Sequence, residues 1–341
     1  MRIVVCVPQV PFARGGTEVL AEGLVAALRE RDHEAELVAL PFKWYPGTRV
    51  LTQAFLWRLL DLDEVDGQRV DMVIATKFPS YVVRHREKRV WLVHQFRHAY
   101  ELDRTELGQF GEAEEDRALR RKVQELDRIT LAEATKLFAI SRNVAGRLER
   151  STGLQAEPLP PPPQNLGFRC EGYADFILSV NRLDRAKRID LLIEAAALEP
   201  ALEVVVAGDG PDRERLEQLV SARDLNGRVR FTGRVPGAEL ADLYASCLAT
   251  FYAPIDEDYG MGPYESFLSE KPVITTNDAG GPLEVVADHR TGLVVQAEPA
   301  EIAAAAHWLR THVADAAALG RAGKEIAAEV TWERAVDRLL S

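Results

Sequence analysis

Short runs of β-branched and aliphatic residues punctuate the chain at Ile3–Val7, Ala35–Leu40, Asp71–Ala75, Val90–Val93 and Leu137–Ile140. A second series follows at Phe176–Val180, Glu203–Ala207, Val229–Phe231, Leu248–Phe251, Val273–Thr275 and Leu293–Val295. Amphipathic stretches separate them, and that alternation predicts parallel sheets with crossover helices. Between the two series stands Pro158-Leu159-Pro160-Pro161-Pro162-Pro163. Such a run cannot form helix or central strand and favours extended polyproline geometry, so it reads as a linker. The expected fold class is α/β, with doubly wound halves at 1–163 and 164–330. Ligands in such sheets bind outside the carboxyl ends of strands, so two facing domains imply a cleft between them. At the end of the chain, Trp332, Ala335, Val336, Leu339 and Leu340 recur at helical spacing behind Thr331, a good N-cap.

Length supports the division, because 341 residues exceed what one core usually holds. With 47% hydrophobic and 28% charged residues, the composition is globular rather than disordered. The run Ile3–Val7 is too short for a bilayer span and, with Pro8 and Pro11 close behind, lacks the apolar region of a signal peptide. A cytoplasmic location is expected, with attachment to the inner face of a membrane as the variant. Cys6, Cys170 and Cys247 lie far apart without CxxC spacing, which predicts buried thiols rather than a zinc site or disulfides. Residues 1–163 hold 24 Lys and Arg against 24 Asp and Glu, so the net charge of −11 belongs to the remainder. Nucleic acid is an unsuitable partner for that balance. The basic clusters Arg84–Arg89 and Arg117–Lys122 are candidates for contact with anionic lipid or an anionic acceptor, although such runs are more often solvated faces.

The chemistry concentrates in Pro254–Phe267, where Glu257 and Glu265 bracket Gly260-Met261-Gly262 between a strand and a helix. Glycines there let the backbone approach a ligand, and a carboxylate one turn into the helix can accept hydrogen bonds from the vicinal hydroxyls of a ribose. A solvated acidic loop with a helix-entry glutamate is the plainer alternative. Arg182 and Lys187 follow the first strand of the second half and offer a guanidinium and an ammonium to a diphosphate. Gly208-Asp209-Gly210 forms another strand-to-helix turn, with Pro211 suited to the first helical position. In the first half, Pro8–Arg14 leads into Gly15-Gly16, either an ordinary helix entry or a diphosphate or acceptor contact through backbone N–H groups. The Gly-x-Gly-x-x-Gly fingerprint of a dinucleotide enzyme is missing after the first strand. Phe42–Leu60 and Tyr100–Gly111 give no chemical clue beyond Trp44, Tyr45, Phe55 and Trp57, which read more readily as core than as a sugar-stacking surface.

Arg182 with Lys187, Gly208-Asp209-Gly210, Phe231-Thr232-Gly233, Glu257 with Glu265, Lys271-Pro272-Val273 and Gly280-Gly281-Pro282-Leu283-Glu284 occur in the order of the family 4 retaining glycosyltransferases. The chain resembles these GT-B enzymes over nearly its whole length, with Gly15, Gly16 and the strand-end His94 also in place. The resemblance implies two Rossmann-like domains, the first binding acceptor and the second a nucleotide-sugar donor, with helix 331–341 crossing back to the first near the interdomain junction. It implies that Arg182 and Lys187 neutralise the donor diphosphate without a metal, that Glu265 holds the ribose, and that Arg234-Val235 meets the base. Glu257 would contact the transferred sugar or stabilise charge at its anomeric carbon, the Gly260-Met261-Gly262 amides would face sugar hydroxyls and phosphate, and His94 would stand beside the sugar ring, with His98 a weaker candidate. Gly208 and Asp209 complete the donor set. The implied reaction is retaining transfer of a hexose from a UDP- or GDP-linked donor to a sugar, lipid-linked or other small-molecule acceptor, in glycan, polysaccharide or glycolipid synthesis, with no cofactor. A GT-B epimerase, a phosphorylase or a non-catalytic nucleotide-sugar binder are the alternatives. Asn181 stands where the family usually has glycine, and Asp258-Tyr259-Gly260-Met261 replaces the usual Gly-Phe-Gly-Leu.

Overall fold

The structure, a computed structural model, describes residues 1–12, 15–101 and 108–341. Residues 13–14 of Pro8–Arg14 and 102–107 of Tyr100–Gly111 lie outside the described residues. The chain divides into two compact units, Met1–Pro162 with Thr331–Ser341, and Pro163–Val330.

The first unit is built on six parallel strands, β1 (Arg2–Gln9), β2 (Glu34–Pro41), β3 (Met72–Ala75), β4 (Lys88–Leu92), β5 (Lys136–Ala139) and β6 (Glu157–Pro158). Their order is β2-β1-β3-β4-β5-β6. Ile3–Val7 of β1 and all of β3 and β4 are buried, as in a sheet covered on both faces. Strand β6 corrects the reading of the proline run as linker throughout. Proline is tolerated at a sheet edge, where its missing N–H breaks no ladder. Beyond it, the Leu159 N–H donates to the Ala139 carbonyl at 2.7 Å and the Trp91 indole donates to the Leu159 carbonyl at 2.8 Å.

Four helices follow in this unit, α1 (Gly16–Arg29), α2 (Val50–Arg58), α3 (Glu114–Ala132) and α4 (Arg142–Thr152). Arg117 and Arg121 of the second basic cluster lie on α3 and pair with Glu112 and Glu114, which suits a solvated face. The four aromatics expected in the core divide. Trp57 is buried, whereas Trp44, Tyr45 and Phe55 are 40%, 52% and 55% exposed. Both faces of α2 are apolar, so periodicity could not tell which one packs.

The second unit carries β7 (Ile177–Val180), β8 (Val204–Ala207), β9 (Val229–Gly233), β10 (Ala249–Phe251), β11 (Val273–Thr276) and β12 (Gly292–Val295). The order is β9-β8-β7-β10-β11-β12, again parallel, and it reverses between β7 and β10. Helices α5 (Ile189–Leu198), α6 (Arg213–Ala222), α7 (Gly237–Ser246), α8 (Gly262–Leu268), α9 (Pro299–Thr311) and α10 (Val313–Ala328) accompany them. Leu192, Val204, Val206, Leu216, Phe251, Ile274 and Leu309 share one buried core. Pro211 does not open α6 as expected. The Asp212 N–H donates to the Leu183 carbonyl at 3.0 Å, holding the chain in a turn until Arg213.

The last helix, α11 (Trp332–Leu340), belongs to the first unit. Thr331 Oγ1 accepts from the Arg334 N–H at 3.4 Å, and Ala335, Val336 and Leu339 are buried. The Trp332 ring lies on Gly23 of α1 and meets Trp91 edge-on at 6.2 Å. Among the described residues, no helix is long and apolar enough to cross a membrane.

Candidate active site

The loops after β7 and β10 leave the sheet where the strand order reverses, the position at which open α/β sheets bind ligands. The first loop carries Arg182 and then a 3-10 turn, Arg185–Lys187, opened by Asp184, whose carboxylate accepts from the Ala186 N–H at 3.1 Å. The second carries Tyr252 and Glu257. The Lys187 ammonium donates to Glu257 Oε2, and each of these side chains is 19% exposed. Tyr252, buried at the strand end, donates its hydroxyl to the same Oε2 at 3.4 Å while its ring centre lies 5.6 Å from Lys187 Nζ.

Burial works against the charge on Lys187, but attraction by Tyr252 and Glu257 outweighs it, and the ammonium keeps its proton beyond the ordinary lysine range. Burial pushes the Tyr252 phenol well up, against the pull of Lys187, so it remains a neutral donor. Arg182 is exposed and its guanidinium has no hydrogen-bond or ion-pair partner among the described residues. The site therefore offers one guanidinium without a carboxylate and one ammonium with N–H donors to spare, an arrangement suited to an anion.

Backbone bonds fix Glu257: its N–H donates to the Ala279 carbonyl at 2.8 Å, and the Gly281 N–H donates to its carbonyl at 2.9 Å. Arg188 braces the same loop, bonding the Ala253 and Pro254 carbonyls and both carboxylate oxygens of Asp278. Its guanidinium holds Asp278 below the usual carboxylate range. Neither Tyr252 nor Arg188 was identifiable from a motif.

Gly260 and Gly262 have a packing reason beside the expected ligand approach. A Cβ on either would stand 2.8 or 2.7 Å from the Tyr252 ring, so the two glycines make room for that phenol. Gly260 also has φ +83°. Glu265 sits in the first turn of α8, where it accepts from the Tyr244 hydroxyl at 2.8 Å. Burial raises its carboxyl above the usual range, with the Tyr244 bond opposing. Met261 directly precedes α8.

The turn at Gly208 and Asp209 packs on the Arg182 loop: the Leu183 N–H donates to the Asp209 carbonyl at 3.1 Å, and a Cβ on Gly208 would stand 1.9 Å from the Asn181 carbonyl oxygen. Arg234 is exposed just after β9, and Val235 packs against the buried cluster that includes Tyr244 and Leu178. Lys271 is buried, donating to the Gly172 carbonyl and to Cys170 Sγ at 3.4 Å. Cys170 itself is half-buried rather than buried as expected, since it lies in the stretch before β7 and not in a strand or helix; Cys6 and Cys247 are buried.

Gly15, Gly16 and His94 belong to the first unit. Gly15 precedes α1 in extended geometry, and its N–H is taken by the Glu18 carboxylate at 2.8 Å. His94 lies two residues beyond β4 with Nδ1 2.6 Å from the Gln95 carbonyl. His98 stacks on Trp44. Among the described residues, no group of three or more His, Cys, Asp or Glu is placed to hold a metal ion.

Residues 171–326 match the family described as glycosyl transferases, group 1. The alpha-1,3/1,6-mannosyltransferase ALG2 of Mus musculus is 28% identical over 176 residues, 47% of this chain and 42% of that protein. A GDP-mannose-dependent alpha-mannosyltransferase of Mycobacterium tuberculosis (strain CDC 1551 / Oshkosh) is 37% identical over 116 residues, 34% of this chain and 29% of that protein. The chain thus spans less than half the length of either relative. Among solved structures, the sucrose-phosphate synthase of Thermosynechococcus elongatus superposes with a TM-score of 0.78 over 99% of this chain and 97% of that one, at 18% identity. That likeness establishes the fold.

Proposed function

We propose, for a chain whose residues 171–326 match the group 1 glycosyl transferases and whose fold is GT-B, a retaining transfer of a hexose from a nucleoside-diphosphate sugar to an acceptor hydroxyl. The observation that carries this reading is the cluster at the strand-order reversal of the second unit, where Arg182 is unpaired and Lys187, Glu257 and Tyr252 are joined. In the reaction, the bond from the anomeric carbon to the diphosphate oxygen breaks, and the acceptor oxygen bonds to that carbon on the same face. The acceptor's proton passes to the departing phosphate oxygen. Arg182 and Lys187 stabilise the charge collecting on the diphosphate in place of a metal, and an ammonium with three donors can serve phosphate while keeping Glu257. Glu257 faces the transferred sugar, with Tyr252 and Lys187 holding its carboxylate. Glu265 takes the ribose hydroxyls, Arg234-Val235 the base, and the Gly260-Met261-Gly262 amides the sugar and phosphate.

In the first unit, Gly15 and Gly16 are assigned to the donor and His94 to the sugar ring. UDP- and GDP-linked hexoses are the donor candidates. A sugar or lipid-linked sugar is the acceptor, a lipid-linked one bringing the basic cluster Arg84–Arg89 to a membrane surface. Mixing the protein with UDP- and GDP-hexoses and candidate acceptors in EDTA should release nucleoside diphosphate and give a product with the donor's anomeric configuration. A strict need for inorganic phosphate would indicate a phosphorylase, and interconversion of the donor sugar without transfer an epimerase. Binding of donor without turnover for any acceptor would leave a nucleotide-sugar binder.

A further inference from the structure

The loops after β2 and β4 of the first unit meet in an aromatic cluster that the proposed donor chemistry leaves unused. Trp44 stacks on His98 with ring centres 5.2 Å and planes 7° apart, and Tyr45 stands edge-on to Trp44 at 4.9 Å. Lys43 Nζ lies 4.6 Å from the Tyr45 ring centre. Beneath them, Phe96 packs against His98 at 5.3 Å and is itself buried. The cluster therefore has a packed floor and, with Trp44 and Tyr45 about half exposed, an open upper surface. Exposed aromatics grouped in this way mark a binding surface rather than a core. Both loops leave the carboxyl edge of the sheet, the ligand-binding edge of the fold.

We propose that Trp44, Tyr45 and His98 form the acceptor subsite and that the acceptor is a saccharide, a reading that rests on the transfer reaction above. A pyranose presents an apolar C–H face and a rim of hydroxyls. The indole supplies a flat apolar surface for the first, while the Tyr45 hydroxyl and the Lys43 ammonium supply polar partners for the second. A platform already held by Phe96 loses little freedom on binding. The balanced charge of residues 1–163 gives no field that would select a polyanion. A lipid surface would instead engage the exposed Phe55, Leu56 and Leu59 side chains of α2 and its C-terminal end, without need of the stacked histidine.

The test is saturation-transfer NMR on the full chain without donor, using methyl α-mannoside, methyl α-glucoside, methyl β-galactoside and N-acetylglucosamine as probes. At least one probe should receive saturation at its ring C–H protons, falling fivefold or more in Trp44→Ala, retained in Trp44→Tyr and unchanged in Arg182→Ala. Melting temperature should be unchanged in Trp44→Ala. No transfer to any probe, or equal transfer to wild type and Trp44→Ala, overturns the proposal. Sedimentation with phosphatidylglycerol vesicles is the second arm: loss of vesicle binding in Trp44→Ala with saccharide transfer intact would also overturn it, in favour of a lipid-facing surface. Nucleoside diphosphate release is measured separately, so failure of the saccharide subsite and failure of the transferase reading give different results.

Discussion

Both units reverse their strand order once, between β1 and β3 in the first and between β7 and β10 in the second, and the two reversals are furnished differently. In the first, Lys77 follows β3 and pairs with Glu18 at 3.4 Å, while the other oxygen of Glu18 takes the Gly15 N–H at the entry to α1. One cation meets one acid, and that acid already serves the backbone. In the second, Lys187 meets Glu257 but Arg182 meets no carboxylate among the described residues. Among the described residues at the two reversals, the cation without a carboxylate, Arg182, stands in the second unit, while exposed aromatics stand at the carboxyl edge of the first. On the functions proposed above, the same sheet architecture carries an anion site in one case and a surface for an uncharged ligand in the other.

The largest test of that contrast is loss of the cations. Arg182→Ala and Lys187→Ala should each lower turnover by about 100- to 1000-fold, about 3–4 kcal/mol of transition-state stabilisation. Arg182 is exposed and unpaired, so its variant should melt like wild type. Lys187→Ala leaves a half-buried Glu257 without its cation and should melt lower. Lys77→Ala should cost turnover less than tenfold. Nucleoside diphosphate release alongside thermal melting checks all three, and a Lys77 effect equal to that of Lys187 would break the comparison.

Each unit also buries a carboxyl group, with different consequences. Asp127 of α3 is pushed up to about 7 by burial, against hydrogen bonds from Tyr81 at 2.8 Å, Tyr100 at 2.9 Å and Gln95. An unfolded aspartate titrates near ~3.9. Between about pH 4 and pH 7 the folded chain therefore holds a proton that the unfolded chain has lost, and stability falls as pH rises through that window before levelling. At ~1.4 kcal/mol per pKa unit, the fall should reach a few kcal/mol. Four of the five tryptophans, all but Trp308, lie in the first unit, so urea unfolding followed by tryptophan fluorescence reports this group. Asp127→Asn should flatten the dependence between pH 5 and pH 8, and identical slopes would exclude Asp127 as its source.

Strand positions were legible because an apolar run bounded by polar residues has few other uses in a chain of this class. In the two six-stranded sheets the exception, Glu157–Pro158, was hidden by prolines that rule out a central strand but permit an edge. In the site, the interval from Glu257 to Glu265 and the basic residues after β7 could be read from spacing alone. Tyr252 could not, since an aromatic at a strand end looks like core; its trace was the pair Gly260 and Gly262, whose missing Cβ atoms accommodate its ring. Trp44 and Tyr45 were misread for the reverse reason. A loop has no periodicity to show that a large apolar side chain points outward.

The two glutamates sharpen the picture within the second unit. Glu265→Gln should weaken nucleoside diphosphate about tenfold or more, about 1.4 kcal/mol, through loss of ribose bonds. Glu257→Gln should leave that affinity nearly unchanged and depress turnover instead. Calorimetry on both variants separates the roles, and equal loss of affinity would mean that Glu257 acts on the nucleotide.

The smallest expected effect concerns how the units are closed. The second is one continuous stretch of chain, whereas the first takes α11 from the far end of the sequence. Its contact with α1 includes Gly23, where a Cβ would stand 2.5 Å from Trp332 Cζ2. Replacing a helical glycine by alanine normally gains up to about 1 kcal/mol. Here the methyl group must displace an indole already set against Trp91, and overpacking of that kind costs about 1–3 kcal/mol. Gly23→Ala should therefore be net destabilising by about 1 kcal/mol in the tryptophan-reported transition, with nucleoside diphosphate affinity unchanged because the residues assigned to the base and ribose, Arg234, Val235 and Glu265, lie in the other unit. Combining it with Trp332→Leu should recover the helix-propensity gain, making the two substitutions non-additive. Additive losses would mean that α11 does not rest on α1 through this contact, and a changed nucleotide affinity would mean that the closure of the first unit is felt in the second.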